Sequence, residues 1–239
     1  MKRKYIVVTG GAGFIGSHLI EIILKRTKIN VISLDNYSSG SNKNHIKSQR
    51  VKYLKGETKD IFKILKNFKK QITDLFHLGE FSRIAESFIQ TDKCFDSNIL
   101  GTLNVLNFCK KNNIKIIYSA TSSAFDEKEN LSPYSFSKFQ NVKLIKNYNK
   151  WFNLKFKIFY FYNVYGERQI STGNMAAVIG IFEKRYKRKK YLPVVRPGNQ
   201  KRNFTYVKDI VNACYIGWKK GVHKEYLLRS EKEYTIYEV

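Results

Sequence analysis

Residues 5–19, YIVVTGGAGFIGSHL, constrain this chain more than any other stretch. Ile6, Val7 and Val8 read as a short buried strand. Gly10, Gly11, Gly13 and Gly16 follow, and an apolar-periodic helix opens at Phe14 and Ile15. The glycines fit G-x-G-x-x-G from Gly11 and G-x-x-G-x-x-G from Gly10. Glycine is needed where a chain turns sharply, where backbone comes close to a pyrophosphate and where helix packs tightly on strand. The first turn of such a helix offers free N–H groups and the positive end of a dipole to phosphate oxygens. Asp35 closes the next apolar run, at the place where an acidic side chain takes ribose hydroxyls. Together these features predict a dinucleotide-binding unit; a glycine-rich turn in some other α/β unit is the alternative.

Strand-length apolar runs alternate with segments of helical spacing, which predicts an α/β fold with a doubly wound parallel sheet of Rossmann type. Strands are expected at residues 5–9, 30–34, 51–54, 73–78, 115–119, 156–162, 204–207 and 226–229. Helices are expected at 14–26, 61–68, 81–89, 98–111, 134–152, 174–186 and 209–219, with Asp209 capping the last. Residues 234–239 read as the first turn of one more helix. The pattern changes after Gly166, so we expect a Rossmann domain over 1–165 and a smaller region over 166–239, with 204–219 packing back on the first.

The net charge of +25 raises nucleic acid as a partner. The charge is spread along a chain rich in Lys, Asn and Ile, and its one dense run, residues 184–190 (KRYKRKK), reads as a solvated helix face. Nucleic-acid binding is therefore not read as the main role. Cys94, Cys109 and Cys214 form no C-x-x-C pair, and His18, His45, His77 and His223 lack metal-ligand spacing, so no metal site is expected. The apolar run after MKRK is too short for a signal peptide, and no run approaches a membrane span. A reducing, cytoplasmic setting is expected.

Tyr134 and Lys138 stand four apart on an expected helix and share one face. A nearby ammonium favours the phenolate form of a tyrosine, which then serves as a base toward a hydroxyl. The spacing also occurs at Tyr186/Lys190 and Tyr215/Lys219, so position has to decide. Only Tyr134 follows the fifth strand, with the hydroxyl cluster Ser119, Thr121, Ser122 and Ser123 upstream. The other two pairs read as surface pairs.

TGGAGFIGSHL, Asp35-Asn36, HLGEFSR, NILGTLNVL, the hydroxyl cluster, Tyr134/Lys138, NVYGERQ and RNFTYVKDI stand in one order along the chain. In that order they resemble the extended short-chain dehydrogenases, the NAD-dependent nucleotide-sugar epimerases and dehydratases, with UDP-glucose 4-epimerase as the nearest functional type. The resemblance implies NAD as cofactor and a nucleotide sugar as substrate. It implies that Gly10, Gly13, Phe14, Ile15 and Gly16 hold the pyrophosphate, and that Asp35 and Asn36 hold the adenosine ribose with Ser38, Ser39 and Gly40 nearby. Glu57 and Thr58 stand where the family has an Asp and an apolar residue around adenine. Leu78, Gly79 and Ser82 match a cofactor-lining loop, although the family has two small residues where this chain has Gly79 and Glu80. Asn98 and Tyr162 match positions on the nicotinamide side. Thr121, Tyr134 and Lys138 match the catalytic residues, and Asn163, Asn174 and Arg202 match contacts to the nucleotide diphosphate. Asn163 and Asn174 also suit a turn or a helix cap.

Dehydratases of this family carry Asp-Glu after the Thr, and its decarboxylases keep a Glu; this chain has Ser122 and Ser123. Without that acid pair, the residues point to an epimerase. The alternatives are a dehydratase or reductase on the same scaffold, and a non-catalytic NAD- or nucleic-acid-binding protein. The family resemblance also implies a homodimer through helices near 81–111 and 134–152. It makes the substrate-binding region C-terminally short, so an open site is expected.

Overall fold

The structure, a computed structural model, describes residues 4–122 and 132–239. Strand β1 (Tyr5–Thr9) is buried along its whole length, and its two faces feed two different cores. Successive strand side chains point to opposite faces. Ile6 and Val8 therefore pack with Leu19, Ile20 and Ile23 of α1 (Phe14–Arg26), while Val7 joins the core on the other face.

The chain continues through β2 (Asn30–Asp35), β3 (Val51–Lys55), α2 (Ile61–Ile64), β4 (Ile72–His77), α3 (Ile84–Ile89), α4 (Thr91–Phe95), α5 (Gly101–Asn112) and β5 (Lys115–Thr121). It then forms α6 (Pro133–Phe152), β6 (Phe156–Phe161), β7 (Val164–Tyr165), α7 (Val178–Lys187), β8 (Lys201–Arg202), β9 (Thr205–Tyr206), α8 (Val207–Lys219), β10 (Glu225–Leu228) and β11 (Tyr234–Thr235). Seven strands make one parallel sheet in the order β10-β6-β5-β4-β1-β2-β3. Helices α1 and α8 cover one face through Ile23, Ile210, Val211, Cys214 and Trp218. Helices α5 and α6 cover the other through Val105, Leu106, Phe108, Val142 and Ile145. This is the expected doubly wound α/β architecture. The strand order reverses between β1 and β4, and such a switch point opens a crevice at the carboxyl ends of the strands.

Several segments differ from the sequence-based expectation, and the helices expected from residues 81 and 174 begin at Ile84 and Val178. The helix expected over 61–68 ends at Ile64, and tight turns then bring Phe68 against Tyr5 at 5.6 Å between ring centroids, so that the chain can enter β4. The helix expected from residue 98 begins at Thr91 and passes through a π turn, Asp96–Leu100, before α5. The last helix starts at Val207, so Asp209 sits inside its first turn and does not cap it. Residues 234–235 form β11, antiparallel to β8, and the expected helical turn follows it, the Thr235 carbonyl accepting the Val239 N–H at 3.3 Å. Among the described residues no helix is long and apolar enough to cross a membrane.

Candidate active site

The ends of β1, β2, β4 and β5 border a crevice of about 930 Å³. Gly10 turns the chain with a φ of +69°, and a Cβ there would lie 2.9 Å from the backbone nitrogen of Gly79. The turns after β1 and β4 thus touch backbone to backbone, a contact only glycine permits. A Cβ on Gly16 would strike the Gly10 carbonyl oxygen. Gly13 caps α1 without a side chain, so the first turn faces the crevice, which Gly10, Gly13, Phe14, Ile15 and Gly16 all line.

At the end of β2 the Asp35 carboxylate accepts the N–H of Ala12 at 2.9 Å and of Tyr37 at 2.8 Å. Burial raises its pKa above the ordinary value, against the opposing pull of these hydrogen bonds. Asn36 Nδ2 donates to Glu57 at 3.2 and 3.1 Å, which places both in the wall beside Ser38, Ser39 and Thr58. Gly40 lies behind Asp35, where a Cβ would come within 2.8 Å of the carboxylate, and is not part of the wall.

Ser132 caps α6, its Oγ accepting the Ser135 N–H at 3.0 Å, and Pro133 occupies the first turn. Tyr134 follows at once, its N–H donating to Ser87 Oγ at 3.2 Å. One turn later Lys138 reaches the same wall. Its Nζ donates to Glu80 Oε2 and to the Ser119 carbonyl, and sits 4.3 Å from the centre of the Tyr118 ring. Thr121 and Ser122 line the crevice beside them; Ser123 falls outside the described residues.

Behind this wall runs a polar chain that the sequence did not disclose. Leu78 and Gly79 donate their N–H groups to Thr9 Oγ1 at 3.1 and 3.0 Å. The Thr9 hydroxyl is then the donor to His77 Nδ1 at 2.8 Å, which makes Nε2–H the donor to Thr102 Oγ1 at 3.0 Å. Thr102 donates to Glu80 Oε1 at 2.9 Å. Tyr118 Oη and Asn141 Nδ2 donate to the same oxygen at 3.0 and 2.9 Å. Full burial pushes the His77 imidazole down to about 4, in keeping with this neutral tautomer. Asn98 is buried beside the chain, donating to Ser137 Oγ at 3.0 Å and accepting from the Phe81 N–H at 2.7 Å; it supports the wall without lining it. Departure from a small residue at Glu80 was the one signal available in the sequence.

Leu78, Gly79 and Ser82 line the middle of the crevice, with Arg83 next to Ser82. Its far end carries Tyr162, Asn163, Lys201, Arg202 and Arg229. Asn163 has a positive φ of 32° and donates to the Asn203 carbonyl at 3.1 Å, so it shapes a turn as well as the wall. Asn174 is exposed in the turn preceding α7, away from the wall.

A glycine turn, the carboxylate at the end of β2 and a Tyr/Lys pair thus border one crevice on a doubly wound sheet. The chain belongs to the NAD dependent epimerase/dehydratase family, whose family model matches residues 6–227. It is 32% identical over 232 residues to a putative UDP-glucose 4-epimerase of Methanocaldococcus jannaschii, covering 91% of this chain and 75% of that protein. A UDP-glucose 4-epimerase from Thermotoga maritima, solved with UDP-glucose, superposes with a TM-score of 0.89 at 28% identity, covering 98% of this chain and 79% of that one. The Thermus thermophilus UDP-glucose 4-epimerase, solved with NAD, gives 0.87 at 25% identity, covering 98% of this chain and 80% of that one.

Proposed function

We propose that this chain is an NAD-dependent epimerase of a nucleotide-diphosphate sugar, of the UDP-glucose/UDP-galactose 4-epimerase type. The observation that carries this reading is the placement of Tyr134, Lys138 and Thr121 in one wall, across from the glycine turn.

The residues fit NAD. The Gly10–Gly79 contact leaves no room for a Cβ, and the open first turn of α1 suits a pyrophosphate. Asp35 stands where adenosine ribose hydroxyls would donate to it, and its neighbours Leu34 and Asn36 are uncharged, which favours NAD over a 2′-phosphorylated cofactor. NAD, when bound, supplies a reversible two-electron acceptor.

Tyr134 Oη takes the proton from the sugar hydroxyl at the carbon to be inverted, and Thr121 Oγ1 holds that hydroxyl in place. Lys138 supports the phenolate through its charge. With a hydride lost from the same carbon, which NAD would accept when bound, this gives a ketone; once the ketone has turned its other face, Tyr134 gives the proton back. Proton and hydride both return to the sugar, so nothing is consumed. Lys201, Arg202 and Arg229 give the far end of the crevice a positive character that suits a diphosphate. Elimination of water needs a free acid near the sugar, and Glu80 is already held by Lys138, Thr102, Tyr118 and Asn141.

Product analysis after incubation with UDP-glucose or UDP-galactose tests the reading. Interconversion is expected, and Tyr134→Phe should lower its rate on the order of 10²–10⁴-fold while bound NAD is retained. A 4-keto-6-deoxy product, or an undiminished rate in Tyr134→Phe, would contradict it.

A further inference from the structure

Glu80 takes no step in the reaction above, yet its carboxylate is in direct contact with the lysine that does. Its side chain is 3% exposed and that of Lys138 5%. Lys138 Nζ, Thr102 Oγ1, Tyr118 Oη and Asn141 Nδ2 all donate to it. An ionised carboxylate only accepts hydrogen bonds, and four converging donors are the setting that suits one. Three of these donors come from three different elements, α5, β5 and α6, so the carboxylate is fixed from several sides.

We infer that Glu80 is a positioning residue that acts on Tyr134 through Lys138, clamping the ammonium against the Ser119 carbonyl and offsetting its charge. The inference rests on the reading of Tyr134 as the base. A carboxylate touching an ammonium makes a pair of zero net charge, so the field reaching Tyr134 is much weaker than that of a lone lysine. Where a small residue stands in place of Glu80, as in the resembling family, the full charge of the lysine is directed at the tyrosine. In this chain the ammonium is held by the Glu80 carboxylate and the Ser119 carbonyl.

The other charged and titratable groups around the pair do not replace Glu80. From the turn after β4, Arg83 adds a positive charge that couples to Tyr134, and its Nε donates to the Met175 carbonyl at 2.6 Å. From β4, His77 is held neutral by burial. Burial keeps the Tyr118 phenol on β5 and the Cys94 thiol on α4 protonated. Glu80 is the negative group in contact with Lys138.

The test reads the ionisation of Tyr134 itself. Tyrosine labelled with ¹³C at ζ is incorporated, and the Tyr134 resonance is the one lost in Tyr134→Phe. Its pH midpoint is followed in wild type, Glu80→Gln and Glu80→Ala, with and without added NAD; the alanine restores a small residue. Both variants should lower the midpoint by about one pH unit or more, a tenfold or larger change in proton affinity. An unmoved or raised midpoint in a folded variant would overturn the inference, as would failure of both variants to fold, which would make Glu80 a scaffold residue only. Turnover is not read, so a lowered midpoint in a chain that leaves UDP-sugars unchanged would sink the epimerase reading and leave this inference standing.

Discussion

His77 is buried between Thr9 and Thr102, and its imidazole is neutral in the fold because burial pushes it down to about 4. In the unfolded chain it titrates near 6.5. Between those values the unfolded chain binds the extra proton, so stability is full above about pH 6.5 and is lost as the pH falls toward 4, by up to about 3 kcal/mol. Asp35 has the opposite sign. Its carboxyl is raised by burial above 3.8, so its folded form binds the proton more tightly and stability is lost as the pH rises through that range. Denaturant unfolding of wild type and His77→Gln at pH 6.5 and 4.5 separates the two. Wild type should lose more stability on acidification than the variant, and equal losses would contradict the assignment. Gly10, Asp35 and the Tyr134/Lys138 pair were legible in the sequence because their chemistry is local: a turn, a strand end, one turn of helix. The Glu80 network was not, because Thr9, His77, Thr102, Tyr118 and Asn141 meet it only after β1, β4, β5, α5 and α6 have packed. No spacing in the chain encodes that meeting.

Helix α6 begins one residue before the proposed base, and its cap, two residues before, sets where that base stands. Ser132 Oγ accepts the Ser135 N–H at 3.0 Å, and Ser87 Oγ from α3 takes the Tyr134 N–H at 3.2 Å. Ser132→Ala should destabilise the fold by about 1 kcal/mol in urea unfolding. It should also lower kcat more than it raises KM, because the first turn frays beneath Tyr134; an unchanged kcat would contradict that link. Elements with strong periodicity and clear punctuation, such as α1 and α6, were read from the sequence within a residue or two. Those decided by long-range pairing were not. Pairing with Arg202 and Lys201 makes Tyr234 and Thr235 a strand, and the helical turn expected over 234–239 starts only at Thr235. The segment 61–68 has helical composition, and the reach to β4 ends its helix at Ile64.

Two cores, one on each face of the sheet, hold the ends of β1, β2, β4 and β5 at one height, and the crevice follows from that alignment. The net charge of +25 is distributed over the chain, and the crevice is lined by Arg83, Lys138, Lys201, Arg202 and Arg229 together with Asp35, Glu57, Glu80 and Glu233. The chemistry proposed for Tyr134 and Lys138 depends on NAD lying along the glycine turn. The measurement to make is the nicotinamide content of the purified chain, released by denaturation and identified as NAD or its 2′-phosphate. NAD at about one per chain, retained through purification or taken up on addition, is the expected result, in line with the Gly10–Gly79 cradle and the Asp35 carboxylate. A chain that carries no NAD and takes none up, or that selects the 2′-phosphorylated form, would contradict it.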